Sequence, residues 1–446
     1  MTNCPLSLFE EYMFLDDTPS YPMAPMTTLI FRGRLDLDAC RAAYADMIAR
    51  HFLLRARVER RGRKLFWRET DDVPDLIVID ADADSSALNS LGLPKTSQLD
   101  LTTGPGLRVY CVFSARENWS RLHFYFHHAI GDGLGVNLAA ADWLFFYGRR
   151  VGAIGDEATL REVNDARFNE RGMVGWTFAQ YLRYYFHTWR TTLQHTVVYP
   201  RPLVFYPSFK PIPPATDGPF TRSFTLSREE TTRLLQRAKT LGATVNDVLL
   251  TDFFRANERW LHEVRRDDKR GKLRVMIPIN MRTRETANLS CCDVVSTVFL
   301  DRTRKELRRT RDEILQGVAR EMNWVKRRDQ KRVFLLILKV LRCVPGSLRF
   351  FLRTPTCRAS TVFSNLGRVF DDFAAPRDEL GRIQLGNVTL AGFEGKSPIR
   401  RKTATACVAS SYAGELTFTL CYDSRLLADA EAIEFNRVFR EELISE

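Results

Sequence analysis

The residues best suited to chemistry lie together in Leu122-His123-Phe124-Tyr125-Phe126-His127-His128-Ala129-Ile130-Gly131-Asp132-Gly133. Strand alternation predicts Leu122, Phe124, Phe126 and His128 on one face and His123, Tyr125 and His127 on the other. The adjacent histidines then point opposite ways, which argues against a shared metal ion. At the end of an apolar face, desolvation favours neutral imidazole, so His128 is the expected general base near neutral pH. Asp132 falls in the turn, where it can cap the following helix or pair with an arginine. Gly131, Gly133 and Gly135 leave the backbone open to close approach. They alternate, so the G-x-G-x-x-G spacing of a dinucleotide loop is not completed. The nine cysteines contain no C-x-x-C, and no metal site is expected.

Elements on both sides must hold this segment. Strands are expected at Thr27 to Phe31, Leu53 to Val58, Lys64 to Trp67, Leu76 to Ile79 and Gly106 to Phe113, with Leu122 to His128 running into the glycine turn. Helices are expected at Leu37 to Arg50, capped by Asp36, at Val136 to Tyr147, and over the aromatic-rich Trp176 to Thr196. Tyr199 to Pro219 carries prolines at 200, 202, 207, 211, 213, 214 and 219, which suits neither a helix nor a central strand. The division is therefore a first lobe at 1–198, a linker at 199–219 and a second lobe at 220–446. The second lobe opens on a strand at Phe220 to Leu226 and a helix near Ser227 to Leu241. Thr244 is expected to cap a helix running through Val248 to Phe254. Strands follow at Arg274 to Ile279, Val294 to Leu300, Ala359 to Phe363, Gln384 to Ala391, Cys407 to Tyr412 and Leu416 to Tyr422, before a closing helix at Asp429 to Leu443. Each half mixes strands with helices, which suggests two similar α/β lobes.

His127-His128-Ala129-Ile130-Gly131-Asp132-Gly133 resembles the HHxxxDG signature of the superfamily of condensation domains and CoA-dependent acyltransferases. That group includes chloramphenicol acetyltransferase, plant hydroxycinnamoyl-type transferases, wax ester synthases and nonribosomal peptide condensation domains. Other segments resemble it in the same order. Arg50-His51-Phe52-Leu53-Leu54-Arg55 is similar to an early condensation-domain segment. Thr244-Val245-Asn246-Asp247-Val248-Leu249 and Val275-Met276-Ile277-Pro278-Ile279-Asn280-Met281-Arg282 are similar to wax ester synthase-type segments, and Ser364-Asn365-Leu366-Gly367 to a late turn.

The resemblance implies two chloramphenicol acetyltransferase-like lobes forming a pseudo-dimer around a central tunnel, with His128 midway along it. It implies a general base that takes the proton from an acceptor as the acceptor attacks an acyl thioester, with no bound cofactor. Acyl-CoA or an acyl-carrier protein acting in trans would be the donor. An alcohol, lipid or polyketide-like, is the expected acceptor, with an amine as the alternative and a non-catalytic binding protein as the rival class. Asp132 would hold the loop through an arginine, with Arg55 expected first and Arg57 second. Gly133 would leave room for the thioester arm, and His127 would be packed. Asn246, Arg282 and Asn365 are candidate tunnel residues. Ser296, Thr297, Ser360, Thr361 and Asn365 are the open choices for an oxyanion donor.

With 66 Lys and Arg against 54 Asp and Glu, the formal net charge is +12, which invites an anionic partner. No nucleic-acid-binding motif accompanies that charge. Between Lys331 and Arg368 there are eight basic residues and no acidic one. Arg328, Arg332, Lys339 and Arg342 share one side of a helix, which suits either a helix on an anionic membrane or a core helix with a basic outer face. The second reading is preferred. The N-terminus lacks a signal-peptide pattern, and the scattered cysteines suit a cytoplasmic protein that is at most peripheral to a membrane.

Overall fold

The computed structural model describes residues 4–84, 86–90, 92–172, 176–197, 199–204, 220–265, 271–354 and 356–445, the side chains of 194–197 excepted. Most of the predicted linker, 205–219, lies outside the described residues.

The strands of the first half are β1 (Cys4–Pro5), β2 (Met26–Arg32), β3 (Ala56–Arg61), β4 (Lys64–Glu69), β5 (Asp75–Asp80), β6 (Leu107–Ser114) and β7 (Trp119–Phe126). Those of the second are β8 (Phe220–Leu226), β9 (Lys272–Asn280), β10 (Val295–Thr303), β11 (Thr361–Arg368), β12 (Gln384–Leu385), β13 (Val388–Lys396), β14 (Thr405–Tyr412) and β15 (Glu415–Tyr422). The helices in chain order are α1 (Leu8–Asp16), α2 (Leu37–Arg50), α3 (Gly133–Arg150), α4 (Phe178–Val197), α5 (Arg228–Thr240), α6 (Val245–Glu263), α7 (Arg304–Leu307), α8 (Arg311–Arg327), α9 (Val333–Cys343), α10 (Ser347–Arg353) and α11 (Asp429–Ile444).

Two six-stranded sheets dominate, ordered β12-β13-β2-β7-β6-β5 and β10-β9-β11-β14-β15-β8. Each belongs to one lobe, but the first borrows β12 and β13 from the second half of the chain. β13 runs antiparallel to β2, from Thr389 opposite Arg32 to Lys396 opposite Met26. The stretch Gln384 to Ala391 is therefore a tight hairpin rather than the single strand expected. Gly386, at φ +61°, makes the turn that an alternating apolar pattern conceals. The central strands β6, β7 and β14 are buried along nearly their whole length, because helices or the opposite lobe cover both faces.

Helix starts follow local chemistry. Ser7, Ser227, Thr244, Thr303 and Thr310 each form a capping box with an acidic residue three positions on. The basic α9 is a core helix: Val333 to Leu338 are all buried. Its cations are engaged within the protein. Arg332 pairs with Asp329, Arg342 lies 3.1 Å from Glu11, and Lys339 sits over the Tyr181 ring at 4.9 Å. The core-helix reading of that segment is the one observed.

The first lobe is pinned by a buried ion pair. Glu10 takes both arms of Arg171, at 2.6 and 2.8 Å, and also accepts from Trp67 Nε1 and the Ser7 amide. Both charged side chains are fully buried. An Arg171→Met variant leaves the Glu10 carboxylate buried without its counter-ion. It should lose about 3–5 kcal/mol of stability, measured as an earlier denaturant midpoint.

Candidate active site

Strand β7 ends at Phe126, two residues before His128. His127 caps a short 3₁₀ turn, His128–Ile130, and its Nδ1 accepts from the Ala129 amide at 3.0 Å. Its own amide donates to Gly106 O at 2.7 Å. Burial, aided by the charge of His128, pushes the His127 imidazole down to about 3. It is a neutral structural residue. The His128 amide bonds Met23 O at 2.7 Å, which anchors the turn to the segment leading into β2.

His128 Nδ1 lies 3.0 Å from Asp293 Oδ2, an aspartate 165 positions away in the other lobe. The other Asp293 oxygen accepts from the Val295 amide at 3.1 Å. Between imidazole and carboxylate the donor is Nδ1–H, so Nε2 keeps its lone pair. The edge of the ring left to the cavity carries that nitrogen, and the side chain is 18% exposed. Phe9 covers the ring edge-on, with centroids 6.1 Å apart. Burial pulls His128 down, but the hydrogen bond and charge of Asp293 outweigh it, and the net shift is upward. Burial also drives Asp293 up, to about 7. Asp293 is the functional residue that sequence reasoning missed. Its one signal is its place beside Cys292, between two apolar runs, where a lone acid needs a buried partner.

Asp132 does hold the loop, but through Arg282 and not Arg55. Its Oδ1 caps α3 by accepting from Gly135 N at 2.7 Å. Its Oδ2 accepts from Arg282 Nη1 at 2.7 Å and from the Val294 amide at 2.9 Å. Arg282 Nη2 donates to Cys292 O at 2.9 Å. Burial opposes the charge on Asp132, yet Arg282 and these donors hold its carboxyl below the usual range. Arg55 is instead paired with Glu69 on β4 at 2.7 Å, so its charge is already satisfied. Arg282 is neither solvated nor a wall of the His128 cavity; it lines an adjoining one. His51 braces the same loop, accepting from Cys291 N at 2.9 Å and bonding Asp142 at 3.0 Å. Of the glycines, Gly135 is the one that close approach demands: a Cβ there would meet Cys292 O at 2.6 Å. Gly133 lines the His128 cavity, and a Cβ there would meet a Leu366 methyl at 2.7 Å.

His128 lines a cavity of about 140 Å³ between the lobes. Phe9, Met26 and Gly133 come from the first half of the chain, and Thr297, Asn365 and Lys396 from the second. Among the five open choices for an oxyanion donor, Thr297 and Asn365 reach this wall. Thr297 Oγ1 is buried and has no hydrogen-bond partner. Ser360 and Thr361 are committed to backbone groups, and Ser296 is not part of the wall. Asn365 donates to Asn246 at 3.3 Å, so two candidate tunnel residues meet, with Asn246 behind Asn365. Burial pulls the Lys396 amine down to about 8. A second cavity adjoins through Met276, Arg400 and Thr403, and a third through Leu134 and Leu366. The three cavities thus share walls around the His128 chamber.

No protein-family profile matches the sequence. Two uncharacterized proteins of Mycobacterium tuberculosis are each 31% identical over 134 residues, 29% of this chain and 30% of their own length. The chain therefore matches under a third of the length of these curated relatives. Solved structures align over the whole chain. The first condensation domain of the calcium-dependent antibiotic synthetase, bound to a substrate analogue, gives a TM-score of 0.69 at 14% identity, covering 100% of this chain and 96% of that one. The starter condensation domain of rhizomide synthetase, bound to C8-CoA, gives 0.69 at 14%, covering 99% and 94%. The epimerization domain of tyrocidine synthetase B gives 0.64 at 17%, covering 99% and 95%. This chain has the condensation-domain fold. The two lobes expected from the sequence are both present, and His128 lines a cavity between them.

Replacing Asp293 by Asn removes the carboxylate and keeps the burial. The His128 pKa should then fall, read directly by NMR titration of histidine-labelled protein. An unchanged pKa would mean that Asp293 does not set the imidazole.

Proposed function

We propose that the protein is an acyltransferase that moves an acyl group from a CoA or carrier-protein thioester to an acceptor, with His128 as general base. The observation that carries this reading is the His128–Asp293 pair, with Nε2 free, in a cavity between two lobes of condensation-domain fold. The C8-CoA bound by the rhizomide starter domain supports CoA as one donor. A carrier protein would act in trans. We place the reaction in the cytoplasm, in keeping with the unpaired cysteines.

Nε2 takes the proton of the acceptor hydroxyl as its oxygen attacks the thioester carbonyl carbon. The carbonyl π pair moves onto oxygen, which accepts the unpaired Thr297 hydroxyl. The oxyanion then collapses, the C–S bond breaks, and the proton on Nε2 passes to the leaving sulfur. Asp293 steadies the imidazolium between the two transfers and keeps the ring in the tautomer with Nε2 free. Asp132 and Arg282 take no proton; they hold the turn.

An alcohol is the acceptor we favour, because the Thr244 to Leu249 and Val275 to Arg282 segments resemble wax ester synthase-type enzymes. An amine is the second reading, favoured by solved neighbours that are condensation domains. Acyl-CoAs of graded length, offered with alcohols and amines while thiol release is followed, decide between them. His128→Ala should lower kcat by about 10²–10⁴-fold. Thr297→Val should lower it by about 10²–10³-fold with little change in KM. No turnover with any pair would leave a non-catalytic binding protein as the reading, whereas a fully active His128→Ala variant would remove His128 as the base.

The base must be neutral to act. Because Asp293 raises the His128 pKa, kcat/KM should climb with pH through a limb above the ordinary imidazole value. In Asp293→Asn that limb should move to lower pH while the plateau rate drops.

A further inference from the structure

Helix α4 presents an apolar stripe that nothing among the described residues covers. Phe178, Leu182, Tyr185, Phe186, Trp189 and Leu193 are all exposed, Phe178 at 80% and Phe186 at 67%. At ~100° per residue these six fall within about 100° of arc. The helix is held by a different face. Tyr181, Tyr184 and Thr188 are buried, and Tyr184 Oη donates to Asp329 O at 2.6 Å. The stripe is therefore not the side that α4 uses to pack.

The charges around it are one-sided. Arg183 and Arg190 are exposed and flank the stripe on its outer edge. The sequence holds no Asp or Glu from Arg171 to Thr216, nor from Gln330 to Phe370, which includes the α9–α10 corner beside α4. That corner exposes Val344 and Phe350, together with Arg349 and Arg353. Asp329, which meets the packed face of α4 at Tyr184, is paired with Arg332. Aromatic rings flanked by arginines match a surface that is apolar below and anionic at its face.

We propose that the outward face of α4 is an interfacial docking surface for anionic phospholipid bilayers. The helix lies in the headgroup layer with its six apolar side chains inserted and Arg183 and Arg190 at phosphate level. No helix among the described residues is long and apolar enough to cross a membrane, so this contact is peripheral. The docked face adjoins a way into the molecule. The Arg358 guanidinium lies over Tyr199, just after α4, at 5.3 Å and over Phe351 of α10 at 3.9 Å. Phe351, Arg353 and Arg358 line a cavity that shares Met276, Arg400 and Thr403 with the wall of the His128 chamber. Docking sets that mouth near the headgroups, where an amphiphilic acceptor could pass from bilayer to tunnel. This last consequence rests on the acyltransfer reading; the docking does not.

The test is co-sedimentation of the full chain with phosphatidylglycerol–phosphatidylcholine vesicles, and with phosphatidylcholine vesicles alone. Binding should need phosphatidylglycerol and weaken with salt. The double variant Phe186→Ser with Trp189→Ser should bind at least about tenfold more weakly. Arg183→Gln and Arg190→Gln should each cost about fivefold. Circular dichroism and melting temperature should not change, because these side chains are exposed. Three results would overturn the proposal: no binding by the parent, equal binding by parent and variants, or lipid-free self-association in sedimentation velocity that the double variant abolishes. The last would identify a second copy as the occupant. Vesicle binding needs no turnover, so its outcome is independent of the acyltransfer assay.

Discussion

The buried clasp between Asp132 and Arg282 is the constraint on which the site depends. Asp132 belongs to the turn after β7, and Arg282 follows the end of β9 in the other lobe. The same carboxylate binds the Val294 amide, and the same guanidinium binds Cys292 O. Four groups from two lobes are thus tied at one point. Asp293 sits in the middle of the tied segment, which is why it can reach His128. A buried ion pair adds little net stability, because desolvation offsets its attraction. What it supplies here is position: His128 comes from one lobe, Asp293 from the other, and the clasp brings them within 3.0 Å.

The electrostatics of that pair are a contest that burial does not win. Left alone in the cavity wall, His128 would be a weak base, because the charged ring would have lost its water. The opposing carboxylate restores proton affinity without adding solvent. Burial in turn raises Asp293, and the hydrogen bond and charge of His128 pull it back down. His127, one residue away, shows the alternative. It is buried with Asp100 acting only through its charge, and it falls to about 3. The two histidines shift in opposite directions because only His128 is hydrogen-bonded to a carboxylate.

Much of this was legible in the sequence, and what was missed shares a cause. Local rules placed the caps at Asp36 and Thr244, since a cap involves residues three apart. The His128 turn and its glycines were readable because the chemistry lies within one short segment. The errors concern partners chosen across the fold. Arg55 was the nearest plausible arginine to the resembling early motif, but Glu69 on the adjacent strand already held it. Asp293 lies 165 positions from His128, and nothing local marks it as an acid with a mate. The β12–β13 hairpin was read as one strand because Gly386-Asn387 interrupts an apolar alternation without a proline or a charge.

The two basic, apolar helices show why composition alone misplaces a surface. α9 has the stronger sequence signature: a continuous apolar run punctuated by cations. Yet its apolar residues fill the core beside Phe9 and Tyr12, and its cations meet Glu11, Asp329 and an aromatic ring. α4 looks like a core helix by its aromatics, and three of its residues behave as one. The rest of its apolar face is turned out, because a single flanking helix can cover only about one side of another. The helix that reads as surface-seeking is thus spent on the core. The one that reads as core has apolar area to spare, close to a cavity that shares walls with the His128 chamber.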